Sequence, residues 1–264
     1  MKSQRIRTAE ALALFHLAGE LAELSPIDPD QALRHLLDRL GGLVGCRCGL
    51  WVAGQRVDAP AAGDPLLGWR VAARLSNEPD PVAEQLTVAW SRQTRNYVAD
   101  PHTQAAIQGH GHNRAFLRGE VVDDQTWNHS PQVQELLRPI GISDRVQAAI
   151  TLNPQVEIHV GFDRSQGDRP FGPHERELLR LAVEGLGWFH RRVARLHGLT
   201  TAKSTLTERE RQVLSALLTG DCEKQIARQL GLTRGAAHQY VVAVFRKFEV
   251  RSRAELMARW LGSR

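Results

Sequence analysis

In the stretch "LTRGAAHQYVVAVFRKF" (232–248), Arg234, His238, Gln239 and Arg246 offer hydrogen-bond donors and positive charge at spacings that share one face of a helix. Gly235 and Val242 fall on that same face. Ala237, Val241, Val244 and Phe248 follow at 4, 3 and 4 residues and form the opposite, apolar stripe, flanked by Tyr240. A helix with one buried stripe and one donor-rich face fits the major groove of DNA, where side chains of its N-terminal half reach base edges. Such chemistry is non-covalent: it needs charge and geometry, and no nucleophile beside a base.

Other residue groups carry chemistry of a different kind. His102, His110 and His112, with Asp100 nearby and Gly109 and Gly111 between them, are candidate metal ligands, but they lack a fixed ligand spacing. Cys46 and Cys48 at i, i+2 share one face of a strand and read as small core residues ahead of a redox pair. Asp123 and Asp124 beside Trp127 resemble paired carboxylates, yet neighbours on a strand point apart, which favours a turn or cap role. "GHGHNR" lacks the strand, the lysine and the helix of a phosphate loop. The expectation is therefore no catalytic residue, no metal and no cofactor, hence no enzyme. A catalytic front domain would need a deep pocket with convergent polar groups and a strongly perturbed pKa.

The elements that must hold the donor face lie around it. Four helical segments fit 206–261. The first opens at Thr207 with Glu210 three residues on, a capping box, and stops at Gly220. Its inward side is Val213, Leu214, Leu217 and Leu218; the second segment turns Ile226, Ala227 and Leu230 inward and ends at Gly231. Thr233 caps the third and Ser252 the fourth. Residues 200–264 carry 12 Lys+Arg against 6 Asp+Glu, so the overall charge of +5 belongs to this last quarter. A compact basic end is the electrostatic footprint of nucleic-acid binding.

The framework Leu206, Thr207, Glu210, Val213, Leu214, Gly220, Lys224, Ile226, Ala227, Leu230, Thr233, Val244, Lys247, Val250, Ser252, Arg253 and Glu255 resembles the LuxR/GerE-type helix-turn-helix domain. The resemblance implies that Lys224 and Thr233 touch phosphates, that Arg234, His238, Gln239 and Val242 face bases, and that Arg246 and Lys247 clamp the backbone. Departures stand at Cys222, usually Ser or Thr; at Ala236-Ala237, usually Thr-Val; and at His238, usually basic. Tyr240 replaces His, Val242 a frequent Lys, and Glu249 a Gly. Fewer fixed charges imply weaker phosphate attraction or a different base preference, and Val242 suits a thymine methyl.

The remaining chain predicts an α+β two-domain protein: a sensor or dimerisation domain over 1–196, a Thr/Ser-rich linker over 197–205 and the helix-turn-helix domain over 206–264. Helices are predicted over 8–24, 29–41, 81–93 and 130–140, and strands over 46–53 and 69–75. A hairpin is expected from 145–152 and 156–164 around Asn153-Pro154. One long helix runs over 173–197 from Pro173. Its Leu179, Ala182, Leu186, Phe189, Val193 and Leu196 repeat every 3.5 residues, a seam for the same helix of a second subunit or for the domain's own sheet.

The order of helix, "LLDRLGGLVGCRCGLWV", mixed sheet and closing helix resembles the GAF/PAS class of sensor domains, and 118–181 is similar to the sensor half of certain LuxR-type regulators. A phosphoacceptor receiver does not fit, for want of its acidic site, and "YVADPH" (97–102) only faintly echoes an acyl-homoserine-lactone domain. The implied partners are double-stranded DNA, a second copy in a homodimer and an unassigned small molecule in the front domain. A ligand-independent oligomerisation module is the alternative. No membrane partner is expected, since apolar runs fall short of ~20 residues; the opening residues do not form a signal peptide, and a cytoplasmic location is expected.

Overall fold

The hairpin around Asn153-Pro154 anchors the sheet: β4 (Ile142–Asn153) pairs antiparallel with β5 (Val156–Ser165), and Asn153 Oδ1 accepts the Gln155 N–H at 2.8 Å to close the turn. β1 (Gly49–Arg56) lies on the other side of β5, β2 (Trp69–Ser76) beyond β1, and β3 (Arg114–Leu117) beyond β4. Every pairing is antiparallel, where the sequence suggested a mixed sheet. Strands built from apolar–polar alternation can bury one face only, which antiparallel sheets accommodate.

The computed structural model describes residues 6–24, 29–46, 48–56, 62–64, 66–77, 101–200, 202 and 206–262. The helix predicted over 81–93, Asp100 and residues 97–100 of "YVADPH" lie outside them. The chain divides into two compact units, residues 1–21 with 33–187 and residues 22–32 with 188–264.

In the first unit the period-2 rule assigns the two sheet faces. Trp51, Ala53, Val146, Ala148, Ile150, Ile158, Val160 and Phe162 alternate along their strands and are all buried. They form the core face, covered by helix α2 (Pro29–Val44), whose Leu33, Leu36, Leu37 and Leu40 are buried. Gly49 permits this approach: a Cβ there would stand 2.6 Å from the Phe162 ring and 3.2 Å from Leu37. Helix α1 (Thr8–Glu23) precedes it. The opposite sheet face carries Leu50, Val52, Arg145, Gln147, His159 and Asp163, and looks toward α3 (Pro101–Gln108) and a π-helical turn, Val133–Leu137. Neither α3 nor β3 was predicted, nor were the short helices α4 (Arg118–Val121) and α5 (Asp124–His129).

The predicted single helix over 173–197 is two helices, α6 (Pro173–Gly185) and α7 (Gly187–Leu196). Leu186 between them takes φ −96° and ψ 20°, a break favoured by the glycines on both sides. All six seam side chains, Leu179, Ala182, Leu186, Phe189, Val193 and Leu196, are at most 3% exposed within the single chain.

In the second unit, α8 (Glu208–Thr219), α9 (Glu223–Gln229), α10 (Arg234–Phe248) and α11 (Arg253–Gly262) enclose one apolar cluster that includes Val213, Leu214, Leu217, Ile226, Ala227, Ala237, Val241, Val244, Phe248 and Leu256. The caps fall where the sequence places them. Thr207 Oγ1 accepts Glu210 N–H at 3.3 Å while Glu210 Oε2 accepts Thr207 N–H at 2.7 Å. Gly220 is left-handed at φ 107°, Thr233 Oγ1 accepts Ala236 N–H at 3.1 Å, and Ser252 Oγ accepts Glu255 N–H at 3.2 Å. Cys222 gives no side-chain cap; Gln225 reaches back to its N–H instead, at 2.8 Å.

Candidate nucleic-acid interface and a cavity in the first unit

Helix α10 divides as its periodicity demands. Ala237, Val241, Val244 and Phe248 are at most 4% exposed, while Arg234, Gly235, His238, Gln239, Val242 and Arg246 are all exposed. Lys224 on α9 and Thr233 at the α10 N-cap are exposed too, though the Thr233 hydroxyl is engaged in the cap. Seven of the eight predicted DNA-binding residues thus lie open to solvent.

Lys247 is different. Its Nζ donates to Glu210 Oε2 at 2.7 Å and its side chain is only 18% exposed. The chain turns Lys247 toward the capping box of α8. Burial raises the Glu210 carboxyl, but Lys247 and the N–H and hydroxyl of Thr207 outweigh it and hold the group below its ordinary value.

Sequence reasoning missed Glu223. His238 Nδ1 lies 3.1 Å from its Oε1 and 3.3 Å from its Oε2, so a carboxylate from the first turn of α9 stands on the donor face. A fifteen-residue separation hides such a pair from any local pattern. The coupling fixes which imidazole nitrogen faces outward: with Nδ1–H donated to Glu223, Nε2 is the free atom.

The histidines at 102, 110 and 112 do not form one site. His102 is fully buried against the rings of Phe116 and Trp127, at 5.0 and 6.4 Å, and burial pushes its pKa well below 6.5. His110 Nδ1–H donates to Ile107 O at 2.9 Å and its ring packs 5.8 Å from Trp69, whereas His112 is exposed. Among the described residues no group of three His, Cys, Asp or Glu could hold a metal ion. Cys46 and Cys48 precede β1 instead of lying in it, and Cys46 Sγ donates to Asp163 O. Asp123 caps α5, accepting Thr126 N–H at 2.8 Å and its hydroxyl at 2.7 Å, and Asp124 pairs with Arg118.

A cavity of about 230 Å³ lies against the second sheet face. Its floor is polar and internally paired. Arg145 grips Asp163 through two bonds of 2.5 and 2.9 Å, and Gln147 meets His159 at 2.6 Å. Beside them Glu157 is 1% exposed; burial would raise its pKa, but His159, the Arg114 guanidinium and Gly111 N–H hold it far below the carboxylate range. The walls are apolar, with Leu50, Val52, Ile107, Leu136 and Ile142. A β-bulge shapes the rim. Ala53 pairs with Ala73 but Gly54 with Val71, so Ala72 is extra. The bulge brings Trp69 and Val71 onto the same face as Arg74; in a regular strand, positions 69 and 74 would point apart. Gly54 makes room for the indole, since a Cβ there would stand 3.3 Å from Trp69 Cε3.

Residues 204–259 match the family described as bacterial regulatory proteins, luxR family (GerE), and form a helix-turn-helix domain of that family. No curated protein matches the chain. Among solved structures the chain is similar to SdiA in complex with octanoyl-rac-glycerol, at 13% identity and TM-score 0.49 over 98% of this chain and 96% of that one. It is similar to Escherichia coli SdiA at 12% and 0.46, over 94% and 95%. The VqsR LBD domain from Pseudomonas aeruginosa matches at 17% and 0.46, over 71% of this chain and 98% of that one.

Proposed function

We propose that this protein is a sequence-specific, DNA-binding transcriptional regulator whose LuxR-family domain is controlled by a small molecule held in the first unit. The observation that carries the reading is the division of α10, with its apolar stripe buried and Arg234, His238, Gln239, Val242 and Arg246 exposed together. Arg234, His238, Gln239 and Val242 would address base edges, with Lys224, Thr233 and Arg246 on phosphates. The cavity supports sensing over a ligand-independent oligomerisation module, because a front unit serving only to associate has no need of an interior space. The five-stranded sheet between helices supports the GAF/PAS-like reading of that unit.

Paired binding belongs to the same proposal: two copies would read half-sites about 34 Å apart. Their interface would use a face other than the buried seam of α6 and α7. The test is selection from a randomised duplex library with the full chain, followed by a mobility shift across salt. A single enriched motif whose affinity falls steeply with salt supports the reading; no shift at low salt removes it.

A further inference from the structure

Two buried polar atoms in the cavity lining have no hydrogen-bond partner. Trp69 Nε1, on a residue 4% exposed, is a donor without an acceptor, and Gln132 Oε1 is an acceptor without a donor. Trp69 belongs to β2, and Gln132 stands at the start of the π-helical turn. An unsatisfied buried polar group costs ~1–3 kcal/mol, so such atoms ask for a partner. A hydroxyl has one donor and two lone pairs, which lets a single group accept from the indole N–H and donate to the amide oxygen.

Charge at the cavity is one-sided. Arg70, Arg74 and Arg145 line it against Asp163 alone among the described residues. Asp163 is taken by Arg145, and Arg70 is taken by Asp64 at 2.9 Å. Arg74 is exposed at the rim on β2, an edge strand of the sheet, with no ion-pair partner among the described residues. The bulge places it on the same face as Trp69, about 13 Å along the strand, since their partners Arg56 and Val52 are four residues apart at ~3.3 Å each. Leu50, Val52, Ile107, Leu136 and Ile142 line the same cavity.

We propose that the cavity takes a medium-chain aliphatic hydroxy acid, its carboxylate at Arg74 and its hydroxyl between Trp69 Nε1–H and Gln132 Oε1. The proposal rests on the reading of the first unit as a sensor and adds the ligand's chemical class to it. An acid of eight carbons suits the space, given that a 150 Å³ apolar cavity already accommodates benzene.

Calorimetric titration of the full chain with 8-hydroxyoctanoate, octanoate and 1,8-octanediol tests it, with displacement of the neutral dye N-phenyl-1-naphthylamine as a second readout. The hydroxy acid should bind about tenfold tighter than octanoate, which lacks the hydroxyl, or the diol, which lacks the carboxylate. Trp69→Phe, or Gln132→Leu should the first variant fail to fold, should reduce its affinity to that of octanoate. Arg74→Met should reduce it to that of the diol. Equal affinity of the diol or octanoate in the wild type, or unchanged affinities in these variants, overturns the proposal. If the dye enters and no acid displaces it, the ligand class falls while the sensor reading stands. If neither the dye nor any of the three compounds binds, both fall.

Discussion

Lys247 Nζ sits 2.7 Å from Glu210 Oε2, so the last turn of the exposed helix α10 is tied to the capping box that starts α8. The lysine thereby ties the end of α10 to the start of α8. Lys247→Ala should lower unfolding stability by about 1–3 kcal/mol, because it strips a buried carboxylate of its cation. Urea titration reads this directly. The salt slope of DNA binding should stay as in the wild type.

Arg246, one residue earlier and exposed, predicts the reverse. Arg246→Ala should leave the urea midpoint in place and reduce the slope of log K against log salt by about 1, the signature of one lost phosphate contact. An unchanged slope would take Arg246 off the interface.

Glu249 follows α10 at φ 54° and ψ 42°, a left-handed conformation that costs a side-chain-bearing residue ~1 kcal/mol. Glu249→Gly should therefore raise stability by up to about 1 kcal/mol, offset in part by the looser unfolded chain of glycine. Its 3.9 Å approach to Arg259 is between exposed groups and contributes little. A fall in the denaturation midpoint would contradict the strain.

The pairing of Glu223 with His238 predicts a change of reading without a change of fold. Both groups are half exposed, so Glu223→Gln should leave the melting temperature within about 1–2 °C of the wild type. With the carboxylate present, Nδ1–H is held and Nε2 accepts, which suits the amino group of adenine or cytosine. Loss of the carboxylate releases that tautomer, and library selection should show a relaxed preference at one position of each half-site.

His190 and His197 of the second unit are buried, and burial above all, with Arg191 and Arg211 adding repulsion, pulls both down to about 3. A base whose pKa is lowered by folding favours the fold while neutral. Their contribution is fully present above pH ~6.5 and lost as pH falls from there toward 3, where the unfolded chain binds more protons. Thermal unfolding at pH 7 and pH 5 should show a lower midpoint at pH 5, and His190→Gln should flatten the dependence. A midpoint independent of pH across that range would refute the assignment.

The tail was legible because its signals are local. Thr207 with Glu210, Gly220, Thr233 and the 4-3-4 stripe of α10 act within one or two turns, and periodicity alone separates Phe248 from Arg246. The hairpin at Asn153 and the strands of the core face were readable for the same reason. In the front unit α3, β3 and the bulge at Ala72 escaped, since each is held by partners remote in sequence.

By itself the amino-acid order determined a basic four-helix end with one helix split into a buried stripe and a donor face, because a 3.6-residue period and side-chain caps are properties of neighbours. Tertiary packing alone decided that Lys247 belongs to Glu210, that Glu223 joins the donor face and that the heptad-like seam is interior. It also decided that one extra residue in β2 turns Trp69 to the face Arg74 occupies, at the edge of a cavity. Each is an encounter between positions whose separation along the chain sets no distance in space, so only the folded chain could specify it.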